Sequence, residues 1–187
     1  MKIRIIQKKD VQQILQIYAP YVLNTNITFE YDVPSLKEMS LRIEKISKKY
    51  PYLVVEEDDE IIGYAYACTF HERKAYEWAC ELSIYVKESY HGKGIAKELY
   101  LKLFAILQEM NIQTVYACIT VPNDKSKRFH QALGFKQNAL FHQCGYKFNK
   151  WLDVIWMEKS IGQYGQVDNF IPFSSLSIDK INKCLNN

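Results

Sequence analysis

Several protein classes are excluded by what this sequence lacks. Its 187 residues hold 7 Gly and 5 Pro, too few for a collagen-like or low-complexity chain. No apolar run approaches the roughly 20 residues that a membrane-spanning helix needs. The five cysteines, Cys68, Cys80, Cys118, Cys144 and Cys184, are scattered, with no CxxC pair and no Cys/His cluster at zinc-ligand spacing. That pattern argues against a structural metal. The odd cysteine count, and a start at Met1-Lys2-Ile3-Arg4 without the layout of a secretory signal, point to a soluble protein of the reducing cytoplasm. An excess of one charge sign is also missing. The 24 Lys and Arg stand against 21 Asp and Glu, leaving +3, so neither nucleic acid nor membrane is an expected partner.

Apolar and aromatic residues, by contrast, are plentiful. At 48% hydrophobic, with 14 Tyr and 3 Trp, the chain can bury the core of one globular domain and still wall a small-molecule pocket with rings. Ile3 and Ile5 alternate as a first strand. Asp10 and Gln13 then open a helical stripe of Val11, Ile14, Leu15 and Tyr18, which Pro20 is expected to bend or end. Ser35 and Glu38, spaced as a capping box after Pro34, start a second helix with Leu36, Met39, Ile43 and Ile46 on one face. From Tyr52 the period becomes that of strands, with a hairpin of Leu53 to Glu56 and Ile61 to Ala67. A strand over Cys80, Leu82, Ile84 and Val86 follows, which puts Glu81 on the opposite face. A long helix carries Ile95, Leu99, Leu103, Ile106 and Met110. Thr114–Val121 reads as a strand, residues 126–133 as a short helix stopped by Gly134, and two late strands lie near 139–147 and 151–158. The order is β-α-α-β-β-β-α-β-α-β-β, a mixed α+β layer. The first 160 residues form the domain, and 161–187 are an extension whose pattern supports at most a short terminal helix.

The segment with most chemical content runs from Leu82 to Val86 through His91-Gly92-Lys93-Gly94-Ile95-Ala96 into the long helix. A strand, a glycine loop and a helix start leave backbone N–H groups unpaired, with the positive end of the helix dipole behind them. Such a junction cradles phosphate, and Lys93 and Lys97 add charge. The other reading of a bare GxG is an ordinary tight turn. The loop lacks the length of a P-loop and the third glycine of a dinucleotide fold.

His91 to Ala96 resembles the Q/R-x-x-G-x-G/A acetyl-CoA motif of the GNAT superfamily of N-acetyltransferases, with His91 in place of Gln or Arg. Further segments are similar, in order, to the phosphinothricin N-acetyltransferase subfamily: Thr28-Phe29-Glu30, residues 50–54, 63–67 and 73–78, Pro122-Asn123-Asp124, residues 130–135, and Gly145-Tyr146-Lys147 through Val154. The resemblance covers roughly residues 3 to 160. It implies a GNAT fold, a central mostly antiparallel mixed sheet flanked by helices, with acetyl-CoA as co-substrate and no metal. It also implies a homodimer. Gly92, Lys93, Gly94, Ile95, Ala96 and Lys97 would hold the pyrophosphate. The backbone of Ile84, Tyr85 and Val86 would pair with the pantetheine arm.

Acetyl transfer to an amine needs a proton acceptor, a polarised carbonyl and a proton for the departing thiolate. Glu81 is the candidate base, its alternative being an exposed or salt-bridged strand carboxylate. His130 is the candidate acid or second base, its alternative a solvated helix histidine. Tyr85 and Tyr116 are weaker proton donors. Asn123 could bond pantetheine or merely form a turn, and Ser126 could contact the coenzyme or cap its helix. For the acceptor, Arg73 offers a fork for a carboxylate, while Phe29, Tyr76 and Trp78 could wall a pocket. The activity this implies is direct acetylation, in a ternary complex, of the α-amine of phosphinothricin, methionine sulfoximine or methionine sulfone. Other acceptors (a polyamine, an aminoglycoside, a protein N-terminus) stay open, as does a non-catalytic acyl-CoA sensor.

Overall fold

The alternating stretches become strands and the 3.6-period stretches become helices in the computed structural model, which describes residues 1–166 and 168–186. The elements are β1 (Lys2–Ile5), α1 (Val11–Asn24), α2 (Leu36–Lys49), β2 (Tyr52–Glu57), β3 (Glu60–Thr69), β4 (Ala79–Val86), α3 (Ile95–Glu109), β5 (Thr114–Val121), α4 (Asp124–Ala132), β6 (Lys136–Lys147), β7 (Lys150–Ser160) and α5 (Ile178–Asn186). One sheet orders them β1-β2-β3-β4-β5-β7-β6. All neighbours are antiparallel except β4 and β5. This is the mixed α+β fold expected from the sequence.

The sheet is buried on both faces. Cys80, Leu82 and Val86 of β4 join Leu99, Leu103 and Leu107 of α3 in one apolar cluster. On the other face Ile14, Ile17 and Val22 of α1 and Met39 and Ile43 of α2 cover Tyr52, Val54 and Tyr64. Tyr85 lies in this second layer, edge-on to Tyr18 and Tyr21 at 5.1 Å each and stacked on Tyr64 at 5.3 Å. Ser35 caps α2, its hydroxyl accepting from the Glu38 amide at 3.2 Å.

Pro20 does not end α1, which runs on to Asn24. Pro20 lies on the exposed side of the helix, so the carbonyl it leaves without a donor turns to water while the buried stripe through Val22 holds the helix together.

Residues 161–166 and 168–186 pack on the same core through buried Phe173 and Cys184. The Ile161 and Gly162 amides donate to the Gln113 carbonyl, the Ile171 amide to that of Met110, and Lys180 pairs with Glu109 at 2.8 Å. The segment thus floors the molecule at the end where α3 finishes and β4 and β5 begin.

Candidate active site

The parallel seam between β4 and β5 is short. Ala79 pairs with Thr114, Cys80 with Val115 and Glu81 with Tyr116, after which the strands separate, β4 running on to Val86 and β5 to Val121. Between them is a narrow cleft of about 60 Å³. Leu82, Ser83, Ile84 and Tyr85 line one side and Ala117, Cys118, Ile119 and Thr120 the other. Tyr100 of α3 and Asn123, Ser126 and His130 of α4 complete it, with Ile27 at the mouth. Inner edges of separated strands present backbone N–H and C=O groups without a neighbouring strand, which an extended polar ligand can satisfy.

At the open end of β4 the chain turns through Gly92 (φ +77°) and Gly94 (φ +83°) into α3. Both values lie where a Cβ is strained. Among the described residues, the amides from Gly92 to Lys97 find no backbone acceptor beyond their own helix. Exposed N–H groups at the start of a 15-residue helix suit a phosphate anion. The residues present fit the pyrophosphate and amide-bearing arm of acetyl-CoA. His91, at the Gln/Arg position, turns away from this loop: its Nε2 lies 3.0 Å from the Val86 carbonyl and 3.1 Å from the Tyr21 hydroxyl, closing the end of β4 onto α1.

Glu81 occupies the last position at which β4 pairs with β5. It is half-buried, and burial alone raises its carboxyl above the usual carboxylate range, no neighbouring cation pulling it back. A carboxylate so placed is a stronger proton acceptor than one in water. Among the described residues it forms no salt bridge.

His130 is 3% exposed. Its Nδ1 is 2.8 Å from the Ser126 carbonyl, which can only accept, so Nδ1 carries the proton. Nε2 therefore accepts from the Tyr100 hydroxyl at 3.2 Å. Burial pushes the imidazole's pKa down, though the Ser126 bond works against this, and Tyr100 is pushed well up by its own burial. The neutral ring thus holds the Tyr100 hydroxyl in the cleft.

The sequence reading missed Tyr100, which falls on the apolar stripe of α3. Its one signal is chemical: a buried tyrosine hydroxyl needs a partner. Asn123, not Ser126, caps α4, its Oδ1 accepting from the Ser126 amide at 3.1 Å. Its Nδ2 is left for a ligand in the cleft. Tyr85 contributes backbone to the cleft, its ring being committed to the tyrosine layer.

The acceptor candidates are not brought into one wall. Phe29 lies against β6, so close that a Cβ on Gly145 would meet its ring at 2.1 Å. Tyr76 lies edge-on to His71 at 4.8 Å and to Phe70 at 6.0 Å, and Phe70 stacks on Tyr116 at 4.2 Å, beside the Glu81 register position. Arg73 is exposed on the same loop. Trp78 belongs instead to the floor: its indole N–H donates to the Asp168 carbonyl at 2.8 Å, and its own carbonyl accepts from the Gln113 and Thr114 amides. Among the described residues no group of three or more His, Cys, Asp or Glu is placed to hold a metal. No helix among them is long and apolar enough to cross a membrane.

The fold recurs in known proteins. The family pattern of the acetyltransferase (GNAT) domain matches residues 3–156. Phosphinothricin N-acetyltransferase of Streptomyces viridochromogenes is 30% identical over 154 residues, covering 82% of this chain and 84% of that protein. The L-methionine sulfoximine/L-methionine sulfone acetyltransferase of Salmonella typhimurium is 29% identical over 90% of this chain and 99% of its own. The crystal structure of a phosphinothricin acetyltransferase from Sinorhizobium meliloti in complex with acetyl-CoA superposes with a TM-score of 0.86 at 34% identity, covering 93% of this chain and 97% of that one. With its separated β4 and β5, its glycine turn into α3 and this match over most of its length, the chain belongs to the GNAT family of N-acetyltransferases.

Proposed function

We propose that the protein transfers the acetyl group of acetyl-CoA directly to the α-amine of a small amino acid or analogue of the phosphinothricin, methionine sulfoximine or methionine sulfone type. The observation that carries the reading is the position of Glu81, a half-buried carboxylate with no counter-cation at the point where β4 and β5 part. The names of the relatives supply the acceptor class.

Acetyl-CoA, when bound, supplies a thioester whose carbonyl carbon is the electrophile. The amides from Gly92 to Lys97 would hold the pyrophosphate, and the edge of β4 at Ile84 and Tyr85 would pair with the arm, since the Val86 amide and carbonyl are engaged by the Tyr21 hydroxyl and His91 Nε2. Glu81 accepts the amine proton, directly or through one water. To protonate the departing thiolate, the Tyr100 hydroxyl gives up its bond to His130 Nε2, passes its proton to the sulfur, and is reprotonated from solvent as the products leave. Arg73 pairs with the acceptor carboxylate, and Phe29 and Tyr76 border its side chain. A second copy covers the exposed rings of Phe141, Tyr146, Phe148 and Trp151 on the β6–β7 face, and the dimer works in the cytoplasm.

Thiol release from acetyl-CoA, measured with phosphinothricin, methionine sulfoximine, methionine sulfone, spermidine, an aminoglycoside and a peptide, tests this. Saturable turnover confined to the first three, with product acetylated on the α-amine, is expected. Turnover on a polyamine or peptide instead would overturn the acceptor assignment. Acetyl-CoA binding without turnover on any amine would leave a sensor.

A further inference from the structure

Lys147, the last residue of β6, is 2% exposed and forms no ion pair among the described residues. Its Nζ donates at 2.7 Å to the Val22 carbonyl and at 2.8 Å to those of Thr25 and Thr28. Three converging carbonyl acceptors use all three protons of an ammonium; a neutral amine would turn a lone pair toward one of them. Two of the carbonyls belong to the last turn of α1 and the residue after it, where the negative end of the helix dipole favours a cation. The carboxylate acting on it, Glu30, is engaged by Arg42. Lys147 is therefore spent on main chain.

The main chain it holds is the turn out of α1 toward the site. Within that turn, the Thr25 hydroxyl donates to the Tyr21 carbonyl and accepts from the Ile27 amide, and the hydroxyls of Thr28 and Tyr18 lie 2.8 Å apart. Ile27 stands at the mouth of the β4–β5 cleft, and Phe29 presses on Gly145, two residues before Lys147 on the same strand. The backbone of β6 thus approaches this turn twice, through a ring at Gly145 and through an ammonium at Lys147.

We propose that Lys147 is a positioning residue for the acceptor: by fixing the carbonyls of Val22, Thr25 and Thr28 to β6, it sets where Phe29 and Ile27 stand beside the amine. The inference rests on the acceptor assignment above. It separates Lys147 from the pyrophosphate-holding turn, which joins β4 to α3, and so assigns it chiefly to the acceptor.

Steady-state kinetics of Lys147→Gln and Lys147→Arg, each against acetyl-CoA and against the best amino-acid acceptor, test it alongside hydrogen exchange across residues 22–30. The Gln variant should raise the acceptor KM about 10-fold or more while the acetyl-CoA KM stays within about threefold, and exchange should speed up in 25–30 more than in α3. The Arg variant, which keeps the charge, should recover part of the acceptor KM. Should the Gln variant fail to fold, the Arg variant still decides, through an acceptor KM between about 2- and 10-fold raised with an unmoved acetyl-CoA KM. Both KM values rising together, neither rising, or unchanged exchange over 25–30 would overturn the proposal. If the wild-type protein turns over none of the amino acids, the acceptor assignment itself has failed; if it does and the acceptor KM ignores Lys147, only this inference has.

Discussion

The two halves of the β4–β5 seam are built from the same strands by opposite means. From Ala79 and Thr114 to Glu81 and Tyr116, backbone pairs with backbone, and the segment after residue 160 braces the edge through Trp78, Gln113 and Ile161. Beyond that point the strands part, and side chains from α3 and α4, Tyr100, Asn123 and His130, stand where a neighbouring strand would be. The closed half satisfies its polar groups within the chain, whereas the open half leaves them for a ligand. Glu81 stands at the boundary, in the last pair of the one and next to the first residues of the other. Rigidity and reactivity meet in that residue because the seam ends there.

The comparison would be broken most sharply by Glu81→Gln. It should cut kcat about 10²- to 10⁴-fold, the usual worth of a general base, while leaving acetyl-CoA binding by calorimetry unchanged. The acid limb of the wild-type kcat/KM profile should lie above the pH at which an ordinary glutamate titrates, since the base must be ionised and burial raises its pKa; a limb at the ordinary value would remove Glu81 from the role. Linkage adds a stability sign. A carboxyl raised in the folded state costs stability once pH passes its unfolded value, so the Gln variant should melt slightly above wild type at neutral pH.

Next in size is Phe173→Ala beneath the closed half, expected to cost about 3–5 kcal/mol by denaturant unfolding with both KM values unmoved. A shifted KM would show that the floor reaches the open half. Gly94→Ala, at φ +83°, should raise the acetyl-CoA KM about 5- to 30-fold, matching the 1–2 kcal/mol cost of a left-handed residue bearing a Cβ, and spare the acceptor KM. The smallest effect is expected for Asn123→Asp. Its carboxylate retains the cap of α4 and the melting temperature, but without the Nδ2 donor the acetyl-CoA KM should rise severalfold, about 1 kcal/mol of one hydrogen bond.

Much of the closed half was legible in the sequence, because strand alternation and capping spacings act locally. Thr114–Val121 is a strand from end to end, and Ser35 with Glu38 opens α2. The glycine turn was legible for a similar reason, since two glycines at a strand-to-helix junction carry their backbone conformation with them. The open half was legible only by residue. Glu81 and His130 could be nominated, but not the hydroxyl that His130 holds, because Tyr100 is 30 residues away and its spacing is that of a packed helix. The partner of Trp78 was hidden on the same ground: its N–H bonds to Asp168, 90 residues along the chain. That Pro20 does not end its helix has the opposite reason, a strong local rule overridden by burial of the helix face away from it.

The floor laid by residues 161–186 also sets an order of assembly. During synthesis the N-terminal elements emerge first, so β4, α3 and β5 are all available before Phe173 and Cys184 can enter the cluster beneath them. Contacts that bridge 90 residues close slowly compared with helix turns and hairpins. Until those residues emerge, the apolar surface that Phe173 and Cys184 cover has nothing in the chain to bury it, and it is the surface a chaperone would meet.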